Sequence, residues 1–153
     1  MSVIIQGDQL RTINYGTKVS RSTQTIPQTA QAALFNVVGG RVLITSLVGQ
    51  VTTVIGGTAT TLTIVGNPTV GTDVNIATAT AITSKEAGSL IGLAGTVGTA
   101  LNVQSAGAGA LPTSGTVVNV GTVDWLTSAS TTGAIKWDVT YVPLDNGASV
   151  TAA

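Results

Sequence analysis

Ile135-Lys136-Trp137-Asp138-Val139-Thr140-Tyr141 decides the fold class of this chain. Ile135, Trp137, Val139 and Tyr141 fall on one side of an extended backbone, and Lys136, Asp138 and Thr140 on the other. That period of two belongs to a strand with one face against a core. The strand is expected to stop at Pro143-Leu144-Asp145-Asn146-Gly147, where Asn-Gly supplies residues that tolerate positive φ.

Working outward, short apolar runs recur between Gly, Pro, Asn and Ser punctuation. Strands are expected at Ala33 to Val38, Arg41 to Val54, Thr60 to Val65, Asp73 to Ile82, Ser89 to Ala94, Val97 to Val103, Thr116 to Val120 and Val123 to Thr127. Val, Ile and Thr dominate these runs, and β-branched side chains suit a pleated surface better than a helix. The expected fold is all-β: an antiparallel β-sandwich or barrel, jelly-roll-like, with an extended N-terminal arm. Gly39-Gly40 and Gly56-Gly57 read as hairpin turns, and Gly66-Asn67-Pro68 and Gly107 to Gly115 as loops. Gly49, inside the longest run, is where a bulge or a bend between sheets is expected.

Residues 1–28 are expected to form the arm and 29–153 the β-domain. Between Gln6 and Gln28 the chain is polar and carries Arg11, Lys18 and Arg21 against Asp8 alone. That gives the segment a formal charge of +2 and leaves −2 for the remainder, an asymmetry hidden in the neutral total. A solvated edge strand with incidental charges accounts for the same composition equally well.

A length of 153 residues suits one core. Charged residues are only 8% of the chain and apolar ones 43%, so neither strong electrostatic steering nor disorder is expected. There is no Cys, which removes disulfides and thiolate chemistry, and no His, which removes the usual acid/base near neutral pH and the commonest metal ligand. The expectation is a protein that is not an enzyme, with no catalytic residue, no cofactor and no metal. No export leader is expected, because Met1 to Asp8 offers neither a basic start nor a long apolar run. Ala87 to Leu111 is uncharged and long enough to cross a bilayer, but Ser, Thr, Asn and Gln interrupt it, so Gly-rich strands and turns are expected and no membrane partner.

Several local patterns resolve into structural readings. Lys136 and Asp138 are expected to be solubilising charges on an exposed sheet face. Asp124 and Asp73 are lone acids whose oxygens could serve as ligands, but no metal motif surrounds them, and lone acids are more often turn or strand-end residues bonded to nearby backbone, which is the expectation. Gly107-Ala108-Gly109 opens like a dinucleotide loop, but Pro112 stands where a helix would continue. Clustered bases interleaved with aromatics are missing, so nucleic acid is not an expected partner. Thr58-Ala59-Thr60 and Thr78-Ala79-Thr80 lack the fixed repeat that an ice-binding solenoid needs. Trp125, Trp137 and Tyr141 are expected to anchor the core rather than to form a stacking platform.

A surface so poor in charge does little to keep copies apart, and a closed homo-oligomer would bury apolar patches and strand edges together. A homotrimer on a larger lattice is expected. Two phrases add to this: residues 25 to 49, from Thr25-Ile26-Pro27-Gln28 through Leu34-Phe35-Asn36-Val37-Val38-Gly39-Gly40-Arg41 to Val48-Gly49, and residues 133 to 145, Gly133-Ala134-Ile135-Lys136-Trp137-Asp138-Val139-Thr140-Tyr141-Val142-Pro143-Leu144-Asp145. They resemble small virion structural proteins of tailed bacteriophages, most of all head decoration, or cement, proteins. The resemblance implies a β-rich trimer made in the bacterial host cytoplasm. It would bind the major capsid protein on the outer capsid surface and stabilise the head. Arg11, Lys18 and Arg21 are then the expected capsid-binding residues. The alternative is a tail-fibre or adhesin-type module that binds a host surface glycan by stacking Trp125 or Tyr15 on sugar.

Overall fold

The structure, a computed structural model, describes residues 6–153. A short helix, α1 (Gly7–Tyr15), precedes twelve strands: β1 (Thr17–Thr25), β2 (Gln31–Val38), β3 (Val42–Thr53), β4 (Thr61–Pro68), β5 (Val74–Ala81), β6 (Leu90–Gly92), β7 (Thr99–Ala100), β8 (Asn102–Gln104), β9 (Thr116–Val118), β10 (Gly121–Thr127), β11 (Ala134–Pro143) and β12 (Ser149–Ala152). They form two sheets, one ordered β1-β11-β3-β6-β8 with β9 also on β3, the other β12-β2-β10-β4-β5-β7.

The pairing is nested. β1 lies on β11, β2 on β10, β3 on β6 and β4 on β5, all antiparallel. An antiparallel ribbon paired in this way, with successive strands sent to alternate sheets, is a jelly roll. The all-β sandwich expected from the alternating pattern is therefore what forms.

Nesting corrects the local pairing expected at two turns. β2 and β3 belong to different sheets, as do β3 and β4, so Gly39-Gly40 and Gly56-Gly57 carry crossings between sheets rather than hairpins. Gly39 and Gly40 have φ of 76° and 148°, and a Cβ on Gly40 would come within 2.6 Å of the Asp145 Cβ. Only glycine supplies that conformation in that space. Gly66-Asn67-Pro68 ends β4 rather than forming a loop, because Asn67 and Pro68 remain in register with Thr122 and Gly121. The expected strand from Val97 to Val103 divides at buried Leu101, β7 going to one sheet and β8 to the other. No helix among the described residues is long and apolar enough to cross a membrane.

Between the sheets lie Leu34, Phe35 and Val37 of β2, Ile44, Leu47 and Val51 of β3, Leu62 and Ile64 of β4, and the inward faces of β10 and β11. Ile135, Trp137, Val139 and Tyr141 are all buried, as their alternation required. Trp125 and Trp137 meet edge to face across the two sheets, with ring centroids 5.9 Å apart and planes at 83°. Gly49 sits opposite Trp137 in a ladder that is continuous at that point. The bulge or bend expected at Gly49 is absent, and glycine is there because the indole occupies the room of a side chain.

The segment expected as an extended arm has two parts. Residues 1–5 lie outside the described residues. Gly7–Tyr15 is helical, with the Gln6 amide N–H donating to Gln9 Oε1 at 3.0 Å. Thr17–Thr25 is β1, paired with β11 from Thr17↔Tyr141 to Thr25↔Ala134 with a register shift between Arg21 and Gln24. For this part the edge-strand reading holds, and the jelly roll begins at residue 17 rather than at 29. The helix escaped sequence reasoning because Leu10 and Ile13 form too short an apolar stripe, and the edge strand could be read only as an alternative because both its faces are largely polar.

Candidate functional site

The three bases expected to bind together are built into different surroundings. Lys18 and Ser20 point to the outer face of β1. There Lys18 Nζ lies 3.3 Å from Asp138 Oδ1, and Ser20 Oγ donates to the same oxygen at 2.5 Å. Asp138 is thus engaged across strands rather than by Lys136, and a surface pair of this kind contributes under about 1 kcal/mol.

Arg21 points the other way. It stands opposite Trp137, and its Nη1 donates to the carbonyl oxygens of Leu34, at 2.8 Å, and Ala153. The guanidinium therefore ties the edge of one sheet to the edge of the other. Partial burial lowers its pKa from the ordinary arginine value, a direction that still leaves it protonated at neutral pH. Arg11 lies on α1.

α1 itself stands outside the sandwich. Leu10, Ile13 and Tyr15 are 51%, 69% and 63% exposed. Its C-terminal end is held where Thr45 Oγ1 donates to the Tyr15 carbonyl at 2.8 Å and Gly16 passes close to Tyr141. Trp125 is buried, so of the two aromatics expected to stack on a glycan only Tyr15 is at the surface.

Asp124 departs most from expectation. It is neither at a turn nor bonded to backbone: it lies mid-strand in β10, on the outer face of its sheet, yet only 4% exposed. Its Oδ2 accepts from Gln31 Nε2 of β2 at 2.8 Å and from Asn67 Nδ2 of β4 at 3.0 Å. Asp73, just before β5, also accepts from Gln31 Nε2, at 3.4 Å. Asp124 Oδ1 is buried with no partner, which costs about 1–3 kcal/mol. Gln31 and Asn67 carried no signal in the sequence, because isolated amides acquire a role only through pairing with β10. Among the described residues no three His, Cys, Asp or Glu side chains come together.

A separate cleft of about 180 Å³ opens between β5 and β9, with Pro68, Val74, Ile76, Val97, Val117 and Val118 among its walls. It has no ionisable side chain in its lining, which sets these apolar groups beside the polar side chains of Asn67, Thr72, Thr116 and Asn119. Comparison of the chain with protein families, with curated proteins and with solved structures gives no match.

Proposed function

We propose that this protein is a structural component of a bacteriophage virion, a decoration protein that binds the outside of the major capsid protein lattice and stabilises the head as a homotrimer. The observation that carries the reading is α1, a helix presenting Leu10, Ile13 and Tyr15 to solvent beside a sandwich whose core is already complete. Apolar groups held clear of their own core mark an interface. The phrases behind the phage resemblance support it further, because 31–38, 42–49 and 134–143 are β2, β3 and β11, with β3 and β11 paired along their length. Weak contacts repeated by a trimer on a symmetric lattice add through effective concentration, so no single strong site is needed.

Removing residues 1–15 tests the reading. It deletes α1 and leaves β1 in place, whereas removal of 1–28 would also strip the partner strand from β11. The shortened protein should unfold with a midpoint close to that of the full chain and be lost from purified heads. Retained occupancy would refute α1 as the attachment element. Gel densitometry of virions should give hundreds of copies per particle, and a few to tens would favour a fibre module.

A further inference from the structure

We propose that the cleft between β5 and β9 takes residues 1–5 of a neighbouring copy of this chain, added as a further strand on the free edge of β9. The proposal rests on the homotrimer reading and names the contact that joins its copies.

The first sheet has room for one more strand at this place. β11 pairs along one side of β3, and the other side carries two short neighbours, β6 on Val48–Gln50 and β9 on Val42–Ile44. β6 is followed outward by β8, which pairs with all three of its residues. Among the described residues no strand follows β9. In the second sheet β7 pairs with Ala77 and Thr78 of β5 and stops short of Val74 and Asn75. Two open strand edges therefore border the cleft, and an open edge recruits another chain by main-chain hydrogen bonding.

The lining selects an uncharged, aliphatic occupant. Ile76 and Val118 in it are buried parts of the core, while Val74, Val97 and Val117 are exposed, with neutral polar side chains between them. Exposed valines gathered around a concave surface mark an interface. A strand added to β9 sends alternate side chains to opposite faces, so its aliphatic groups meet these valines while its backbone satisfies the edge.

The sequence supplies one such segment. Two runs of three successive large apolar residues occur in the chain, Val3-Ile4-Ile5 and Val42-Leu43-Ile44. The second is in β3, directly beside β9. The first is β-branched throughout, the composition that suits a strand, and it matches the three residues of β9 in length. It belongs to residues 1–5, outside the described residues, and is joined to the chain at Gln6, where α1 begins. α1 is fixed at its far end through the Tyr15 carbonyl, and its Leu10 and Ile13 are exposed. The nine residues of α1 set Gln6 about 14 Å from that anchor, and residues 1–5 reach at most about 17 Å further. An arm that sets out clear of its own sandwich is placed to enter the next one. Arm into cleft is a head-to-tail contact, the kind that closes into a ring when the rotation between copies allows.

The test is size-exclusion chromatography with light scattering on the full-length protein and two full-length variants, alone and mixed. Ile4→Asp combined with Ile5→Asp charges both faces of the arm, and Val117→Asp charges the cleft at an exposed position. Either change would bury an unpaired carboxylate against aliphatic groups. The parent should run as a trimer, and each variant alone as a monomer with the circular dichroism of the parent. Mixed, the two should give a one-to-one dimer, because one copy keeps a sound arm and the other a sound cleft. Should Val117→Asp fail to fold, Val97→Asp, in the segment before β7, takes its place. A monomeric parent, variants that stay trimeric, or a mixture that stays monomeric would overturn the proposal. The last is also the outcome for an arm folded into the cleft of its own chain. A trimer that responds as expected but is missing from purified heads would overturn the decoration reading and leave this contact standing.

Discussion

Gly49 and Trp137 face each other across β3 and β11, and the indole lies where a Gly49 side chain would be: a Cβ there would stand 2.9 Å from two of its ring carbons. Glycine in a strand interior ordinarily costs roughly 0.5–1 kcal/mol relative to alanine. Here overpacking, at about 1–3 kcal/mol, outweighs that gain. Gly49→Ala should therefore lower the urea midpoint. Gly57→Ala should not, since its Cβ would meet nothing closer than Ser84 Oγ at 3.8 Å. Equal midpoints for Gly49→Ala and the parent would show that the ring can move aside.

Trp137 also joins the sheets through Trp125. Trp137→Ala should cost about 3–5 kcal/mol, the range for emptying a large aromatic site. Trp137→Phe should cost clearly less, because the buried Nε1 makes no hydrogen bond that the substitution would forfeit. A double-mutant cycle with Trp125→Leu should return a coupling of roughly 0.5–1.5 kcal/mol for the edge-to-face pair. A coupling near zero would mean that the two rings share only the general apolar core.

Arg21 closes the sandwich at the β1 edge. Arg21→Met keeps the apolar stem and loses both carbonyl contacts, so it should destabilise by on the order of 1–2 kcal/mol, at the low end for bonds to a charged donor because the site is part-exposed. Arg21→Lys should recover only part of this, since one ammonium lacks the fork of the guanidinium. Hydrogen exchange should report the loss first in β12, the strand at the end of its sheet next to Arg21. If exchange in β12 were unchanged in Arg21→Met, the guanidinium would not be joining the two edges.

The residues with strict alternation were readable from the sequence alone, and β11 with its four inward side chains is the clearest case. What the pattern does not encode is which strand pairs with which. Gly39-Gly40 looks the same whether it reverses the chain within one sheet or carries it to the other, and only nesting of β1 with β11 and β2 with β10 distinguishes the two. Arg21 was legible as a cation and not as a clamp, because its partners are backbone carbonyls 13 and 132 residues away. The sequence reading of Asp124 fails for a related reason: its amide partners come from β2 and β4, neither of which is next to β10 along the chain.

Arg41 and Asp145 give stability a defined pH dependence. Arg41 Nε and Nη2 donate to Asp145 Oδ2 and Oδ1 at 3.0 and 2.8 Å, and the Arg41 backbone N–H adds a third bond at 2.7 Å. The hydrogen bonds from Arg41 lower the Asp145 pKa to about 2, while the same pairing raises that of Arg41, which stays charged throughout. The unfolded carboxyl titrates near its ordinary value of about 3.9. The folded state therefore binds the proton less readily than the unfolded state. The stabilisation is fully present above roughly pH 5 and is lost as pH falls through about 4 toward 2. Thermal midpoints of the parent and Asp145→Asn, measured from pH 7 down to pH 2, should differ by a constant amount in the upper range and converge in the lower. A gap that persists undiminished at pH 2 would show that the contribution of Asp145 is shape rather than charge.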